Sequence, residues 1–114
     1  EKKPLKPAQL KIKEAELLLS AVPKGATLVA MDRGGRELAS TDLAKKLGAW
    51  QDDGISEIAF VIGGSDGLDQ TILDKAQLKI AMGAMTWPHM LARVMLIEQI
   101  YRAQCILSNH PYHK

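Results

Sequence analysis

The sequence predicts an α/β domain, a parallel sheet covered by helices on both faces. Three observations carry that prediction. Segments with helical spacing alternate strictly with short apolar runs, in the order helix, strand, helix, strand, helix, strand, helix. The runs are apolar almost without a break, as strands buried on both faces are. Each run then ends in something unusual: Asp32-Arg33-Gly34-Gly35, Gly63-Gly64, and the loop from Gly83 to Pro88. Ligands of such sheets bind at the carboxyl ends of the strands, where these loops gather.

The elements follow in order. Residues 1–6 are charged, contain Pro4 and read as an open loop. Pro7 suits the first turn of a helix, on which Leu10, Leu17, Leu18 and Ala21 recur at helical spacing, and Pro23 and Gly25 stop it. Ala26–Met31 is a short apolar strand ended by Asp32, with Arg33 to Arg36 as a turn. Ser40 or Thr41 caps the next helix, whose Leu43, Leu47 and Trp50 form one stripe, and Asp52-Asp53-Gly54 ends it. Ile58–Ile62 is the strongest strand, β-branched and aromatic. Asp69 caps a helix carrying Ile72, Leu73 and Ala76, and Leu78–Met82 is the third strand. From His89 to about Leu107 one helix is apolar nearly all round, so it is expected to lie between two layers. In so small a domain the second layer is expected to be another copy of the chain.

Length and composition set bounds. The 114 residues make one domain, 1–114, and the apolar and charged fractions are those of an ordinary globular protein. A net charge of +2 is too weak to diagnose a nucleic-acid binder, although Lys2, Lys3, Lys6, Lys11 and Lys13 crowd the start. The single cysteine, Cys105, excludes an internal disulfide and fits a reducing compartment; it reads as a small core residue. No run is long enough to span a membrane and no secretory leader is visible, so the expected location is cytoplasmic.

The chemistry-bearing residues sit in the loops and on the last helix. Gly63, Gly64 and Gly67 let a ligand approach the backbone, but no Gly-Lys-Ser/Thr follows, and a glycine doublet after a strand is more often a tight turn. Met31, Met85 and Trp87 would make an apolar slot for an adenine or a thioether; methionines at loop ends are also common packing fillers. His89 and Arg93 stand one turn apart and face the strand ends, where a histidine serves catalysis or a backbone carbonyl equally well. Glu98 and Arg102 form an i,i+4 pair with the acid on the favourable N-terminal side, and a buried pair often serves pairing specificity. His110, Tyr112 and His113 suit stacking on an unpaired RNA base, or a tail folded back to close the pocket. His89, His110 and His113 have no companion acid or thiol at metal-ligand spacing, so no metal site is expected. A Ser/His/Asp arrangement has no nucleophile elbow to support it.

Four ordered motifs, Phe60–Leu68 (FVIGGSDGL), Met85–His89 (MTWPH), Ala92–Ala103 (ARVMLIEQIYRA) and Asn109–His113 (NHPYH), resemble the ribosomal RNA large-subunit methyltransferase H family. The match runs from about Lys6 to the last residue. These are SPOUT-class enzymes that methylate N3 of a pseudouridine in 23S ribosomal RNA. The resemblance implies a C-terminal trefoil knot, a homodimer built on the last helix, and S-adenosylmethionine held in the knot. The implied cofactor contacts fall on Met31, Gly63, Gly64, Gly83, Ala84, Met85, Thr86, Trp87 and Pro88. The implied catalytic set is His89, Arg93, Arg102, Tyr112 and His113, with Arg93 or Arg102 stabilising the developing imidate. The implied partner is 23S ribosomal RNA in the assembled ribosome. Met31 stands where relatives often carry leucine, and the resemblance begins after the further strand and helix usual in the family, so this sequence is expected to be either a fragment or a shortened variant. A catalytically silent dimerisation or RNA-binding module is therefore the rival reading. A generic nucleotide-binding domain would need a lysine that the glycine loop lacks.

Overall fold

The computed structural model describes residues 6–63, 67–83, 85 and 87–113. The expected opening loop over 1–5 and the expected contacts at Gly64, Ala84 and Thr86 lie outside the described residues. The chain runs α1 (Pro7–Ala21), β1 (Thr27–Glu37), α2 (Ser40–Asp52), β2 (Ile58–Ile62), α3 (Gln70–Lys75), β3 (Leu78–Ala81) and α4 (His89–Leu107). The three strands form one parallel sheet in the order β2-β1-β3.

That order explains where the helices lie. The crossover from β1 to β2 moves one way across the sheet and the crossover from β2 to β3 moves back over β1. Crossovers of one hand then place α2 and α3 on opposite faces. Along β1 the side chains alternate accordingly. Val29 packs with Leu43, Leu47 and Trp50 of α2 and Ala103 of α4. Leu28 and Ala30 pack with Ala15 of α1 and Ile72 of α3 on the other face. Helices on both faces of a parallel sheet are what the alternation of elements predicts.

The last helix leans on the second. A Cβ at Gly48 would stand 2.9 Å from Leu107 Cδ2, so the absence of a side chain lets α4 come close to α2. Only Leu96, Ala103 and Cys105 of α4 are buried. Met90, Val94, Ile97 and Tyr101 are more than half exposed and fall on one side of the helix. The expectation of an apolar helix between two layers is met on one side only within a single chain. Leu10 and Leu17 of α1 are likewise exposed, and the buried residue on α1 is Ala15.

Two local expectations are corrected. The first strand does not end at Asp32. Met31 is opposite Ile80, the chain bulges through residues 32–35, and Arg36 returns opposite the same Ile80, so β1 continues to Glu37. The glycine pair that reads as a turn is the apex of this bulge. Neither Ser40 nor Thr41 caps α2: the cap position is Ala39, without a side-chain bond. Ser40 already lies inside the helix and its hydroxyl donates to Gln99 Oε1 of α4 at 2.5 Å. Asp69 does cap α3, accepting from the backbone N–H of Thr71 at 3.1 Å.

The bulge rests on a close backbone contact. A Cβ on Gly35 would fall 2.6 Å from the carbonyl carbon of Lys79, a neighbour that cannot move without breaking the β1–β3 ladder. Gly35→Ala is expected to destabilise the domain by about 1–3 kcal/mol, the usual cost of forced overpacking. Urea unfolding checks it, and an unchanged midpoint would show that the bulge is not held as described.

Candidate active site

Two clusters of functional side chains lie at opposite ends of α4. The first surrounds a cavity of about 730 Å³ at the carboxyl edge of the sheet. The strand register builds it. Ile62, Met31 and Ile80 are partners across the three strands, and all three side chains line the cavity. The rest of the lining comes from the loops that leave this row: Asp32 and Arg33, Gly63 and Gly67, and Met82 to His89 in part.

Backbone conformation makes the loops what they are. Gly63 packs so tightly that a Cβ would stand 2.6 Å from the carbonyl carbon of Gly67. Gly83 has φ of +94°, a conformation that glycine adopts without cost. Trp87 donates its indole N–H to the carbonyl of Met82 at 3.1 Å, which folds the loop back on the end of β3. His89 Nδ1 lies 3.2 Å from the carbonyl of Gly63. A carbonyl can only accept, so that nitrogen carries the proton and the ring ties the start of α4 to the end of β2. Asp32 Oδ2 accepts from the N–H of Gly34 at 2.9 Å and shapes the bulge at the rim.

The second cluster is an ion pair with the tail wrapped over it. Arg102 Nε and Nη2 each donate to Glu98, to Oε1 and Oε2, both at 3.0 Å. This bidentate geometry is the strong form of the pair. Arg102 Nη1 lies 3.1 Å from His113 Nδ1. Guanidinium only donates, so this nitrogen accepts and the neutral ring carries its proton on Nε2. Tyr112 donates its hydroxyl to Glu98 Oε2 at 3.3 Å. The Tyr112 ring covers the Arg102 guanidinium at 4.9 Å and meets Tyr101 edge-on at 5.0 Å. The Arg102 hydrogen bond holds the Glu98 carboxyl below its ordinary value, and the same bond pushes the Arg102 guanidinium up. A second cavity, about 450 Å³, adjoins this cluster at Glu98 and shares Met31, Ile80 and Met82 with the first.

Comparison with known proteins places the chain in a family. A family model described as a predicted SPOUT methyltransferase matches residues 1–113. Proteins called ribosomal RNA large subunit methyltransferase H are close relatives. That of Paramagnetospirillum magneticum is 50% identical over all of this chain and 75% of its own length. That of Rhodospirillum centenum is 58% identical over 93% of this chain and 70% of its own. That of Dinoroseobacter shibae is 51% identical over 91% and 67%. The chain belongs to this family of SPOUT methyltransferases.

Residues singled out in the sequence separate into the two clusters. Of the nine expected cofactor residues, Met31, Gly63, Gly83, Met85, Trp87 and Pro88 line the first cavity. Gly64, Ala84 and Thr86 lie outside the described residues. Of the five expected catalytic residues, His89 lines the first cavity through its bond to Gly63, and Arg93 is exposed one turn along α4. Arg102, Tyr112 and His113 form the second cluster. From His89 to Arg102 the helix rises about 20 Å, so one chain does not bring the two groups together. Within one chain the five expected catalytic residues therefore fall into two groups, held apart by the straight helix. Among the described residues no group of three metal-ligating side chains occurs, and no helix is long and apolar enough to cross a membrane.

Sequence reasoning missed three contributors. Ile62, Ile80 and Met82 were only strand residues until the register put them against the cavity. Glu98 was read for its pairing with Arg102, whereas it also holds Tyr112. The i,i+4 spacing signals the pair, and a folded-back tail is one of two readings of His110, Tyr112 and His113, but the sequence does not name its partners Glu98 and Arg102.

The ion pair gives a pH prediction with a definite sign. A carboxyl whose folded pKa is depressed stabilises the fold above its unfolded value, and that contribution is lost as pH falls through the folded value. The tail is expected to stay docked at neutral pH and to release below the ordinary glutamate range. Tyr112 ring shifts in an NMR titration check this. Release on raising the pH through neutrality instead would show that Glu98 is not the group that holds it.

Proposed function

We propose that the chain methylates N3 of a pseudouridine in 23S ribosomal RNA, using S-adenosylmethionine, as a homodimer joined along α4 and knotted at the loops behind β2 and β3. The family supports methyl transfer, and its relatives' name supports ribosomal RNA as the substrate. One observation carries the cofactor assignment: six of the nine residues expected to hold it line one cavity at the aligned strand ends.

The cavity suits such a molecule. Met31, Ile62, Ile80 and Met82 offer an apolar floor for an adenine, and Gly63 lines the cavity with its backbone packed on Gly67. Met85 and Trp87, both exposed at the mouth, would cover the ligand. S-adenosylmethionine supplies a reactive methyl on a positive sulfur, so the protein's part is binding and orientation. The target imide is weakly acidic and must give up its proton before or during attack. The Arg102 cation, kept charged by Glu98, stands against the anion that the imide becomes. Tyr112 and His113 hold that cation in place from the other side.

Because the two clusters lie about 20 Å apart along α4, the site is completed by a second copy. The exposed stripe Met90, Val94, Ile97 and Tyr101 is the surface on which that copy docks. The ribosomal RNA is engaged across the dimer, by Arg93 beside the cavity and by Arg102 and the tail.

Calorimetric titration with S-adenosylhomocysteine is expected to give stoichiometric binding. A folded dimer that binds none would leave a silent dimerisation or RNA-binding module. Arg102→Ala is expected to lower methylation of unmodified ribosomes by about 10²-fold, with cofactor affinity unchanged; loss of cofactor binding instead would put Arg102 in the wrong role. Ile97→Asp is expected to give monomers in sedimentation at micromolar concentration and to abolish turnover. A dimer that survives it would exclude the stripe as the interface.

A further inference from the structure

The last turn of α4 is closed by a device that neither the cavity nor the ion pair explains. Among the described residues Asn109 is the one non-glycine residue with positive φ, at 59°. Its N–H donates to the carbonyl of Ile106 at 3.2 Å, and the N–H of His110 donates to the carbonyl of Cys105 at 2.8 Å. Those two bonds are the 5→2 and 6→1 pair of a Schellman cap, with Asn109 at the left-handed position after the helix. Glycine is the usual residue there and asparagine the common substitute. Two further restraints follow at once. Pro111 cannot continue a helix, and the Tyr112 N–H donates back to His110 Nδ1 at 3.2 Å.

The effect is a reversal of direction. The tail leaves α4 and runs back along it, so that Tyr112 reaches Glu98, fourteen positions earlier, and His113 reaches Arg102, eleven positions earlier. A right-handed or extended residue at 109 would send the chain on past the end of the helix. We infer that Asn109 is a positioning residue, whose left-handed conformation turns the tail back so that Tyr112 and His113 meet Glu98 and Arg102. It touches neither cavity and no part of the ion pair. The geometric half of this inference stands alone, and the kinetic half rests on the methyltransferase reading above.

Substitution at 109 separates backbone conformation from side-chain chemistry. Glycine adopts positive φ freely, alanine adopts it with strain, and a β-branched residue is an outlier there. NMR contacts between the Tyr101 and Tyr112 rings report tail docking, and methylation of unmodified ribosomes reports turnover. Asn109→Gly is expected to keep both at wild-type level. Asn109→Val is expected to lose the ring contacts and to lower kcat by about 10²-fold, with unchanged affinity for S-adenosylhomocysteine and an unchanged dimer. Asn109→Ala, the milder change, is expected to fall between them and serves if the valine variant does not fold. Wild-type ring contacts in the alanine and valine variants would overturn the inference. So would an Asn109→Gly variant as impaired as Asn109→Val, which would assign the role to the amide side chain. Inactivity of the wild-type protein on ribosomes would sink the methyltransferase reading, while the ring contacts would still decide the role of Asn109.

Discussion

Register in the sheet is the constraint on which the rest of the structure depends. Met31 is the partner of Ile62 on one side and of Ile80 on the other, so one row crosses all three strands. Because the strands are parallel, every loop leaving that row leaves toward the same edge. Gly63, the bulge at residues 32–35 and the Gly83 loop therefore emerge together, and a cavity forms where they diverge. A shift of β1 by one residue would turn Met31 to the opposite face and remove the floor of that cavity.

The bulge in β1 shows how the row is kept while the rim is enlarged. Four residues leave the ladder between Met31 and Arg36, yet both of those residues face Ile80. The excursion adds Asp32 and Arg33 to the cavity wall without ending the strand. It is possible only because Gly35 lies directly on the backbone of Lys79, and because Asp32 closes a turn on Gly34. Backbone packing thus sets the reach of a polar rim.

Much of this was legible in the sequence, and the parts that were not share a cause. Element order, helices on both faces of the sheet and the Asp69 cap follow from local patterning; which face Leu28, Val29 and Ala30 each take does not, because all three are apolar. The bulge was hidden because Gly34-Gly35 has the composition of a turn, and composition does not report what lies beneath it. The α2 cap was misplaced by one residue because Ser40 bonds across to Gln99, a partner 59 positions away. Six of the nine residues expected around the cofactor surround one cavity, an assembly reached by resemblance and then by register, not by periodicity. The tail clamp joins His113 to Arg102 and Tyr112 to Glu98 through a single left-handed residue. Asparagine at 109 with Pro111 behind it is a local signal for a helix stop, but where the tail goes next depends on partners eleven and fourteen positions back.

If the proposed reaction uses both clusters, the length of α4 calls for a second copy, beyond any use of one in covering apolar surface. A helix is rigid over the roughly 20 Å that separates His89 from Arg102, so no rearrangement within one chain short of breaking α4 closes the gap. Parallel pairing of two such helices would keep like ends together and leave the gap in both copies. Antiparallel pairing does not. If the stripe is centred on its own two-fold axis, Met90 of one copy faces Tyr101 of the other and Val94 faces Ile97. The same centre sets His89 opposite the second copy's Arg102, which brings a cavity rim and an ion-pair cluster to each end of the helix pair. In the proposed dimer, antiparallel pairing along these four apolar residues would join two half-sites on separate chains into two whole ones.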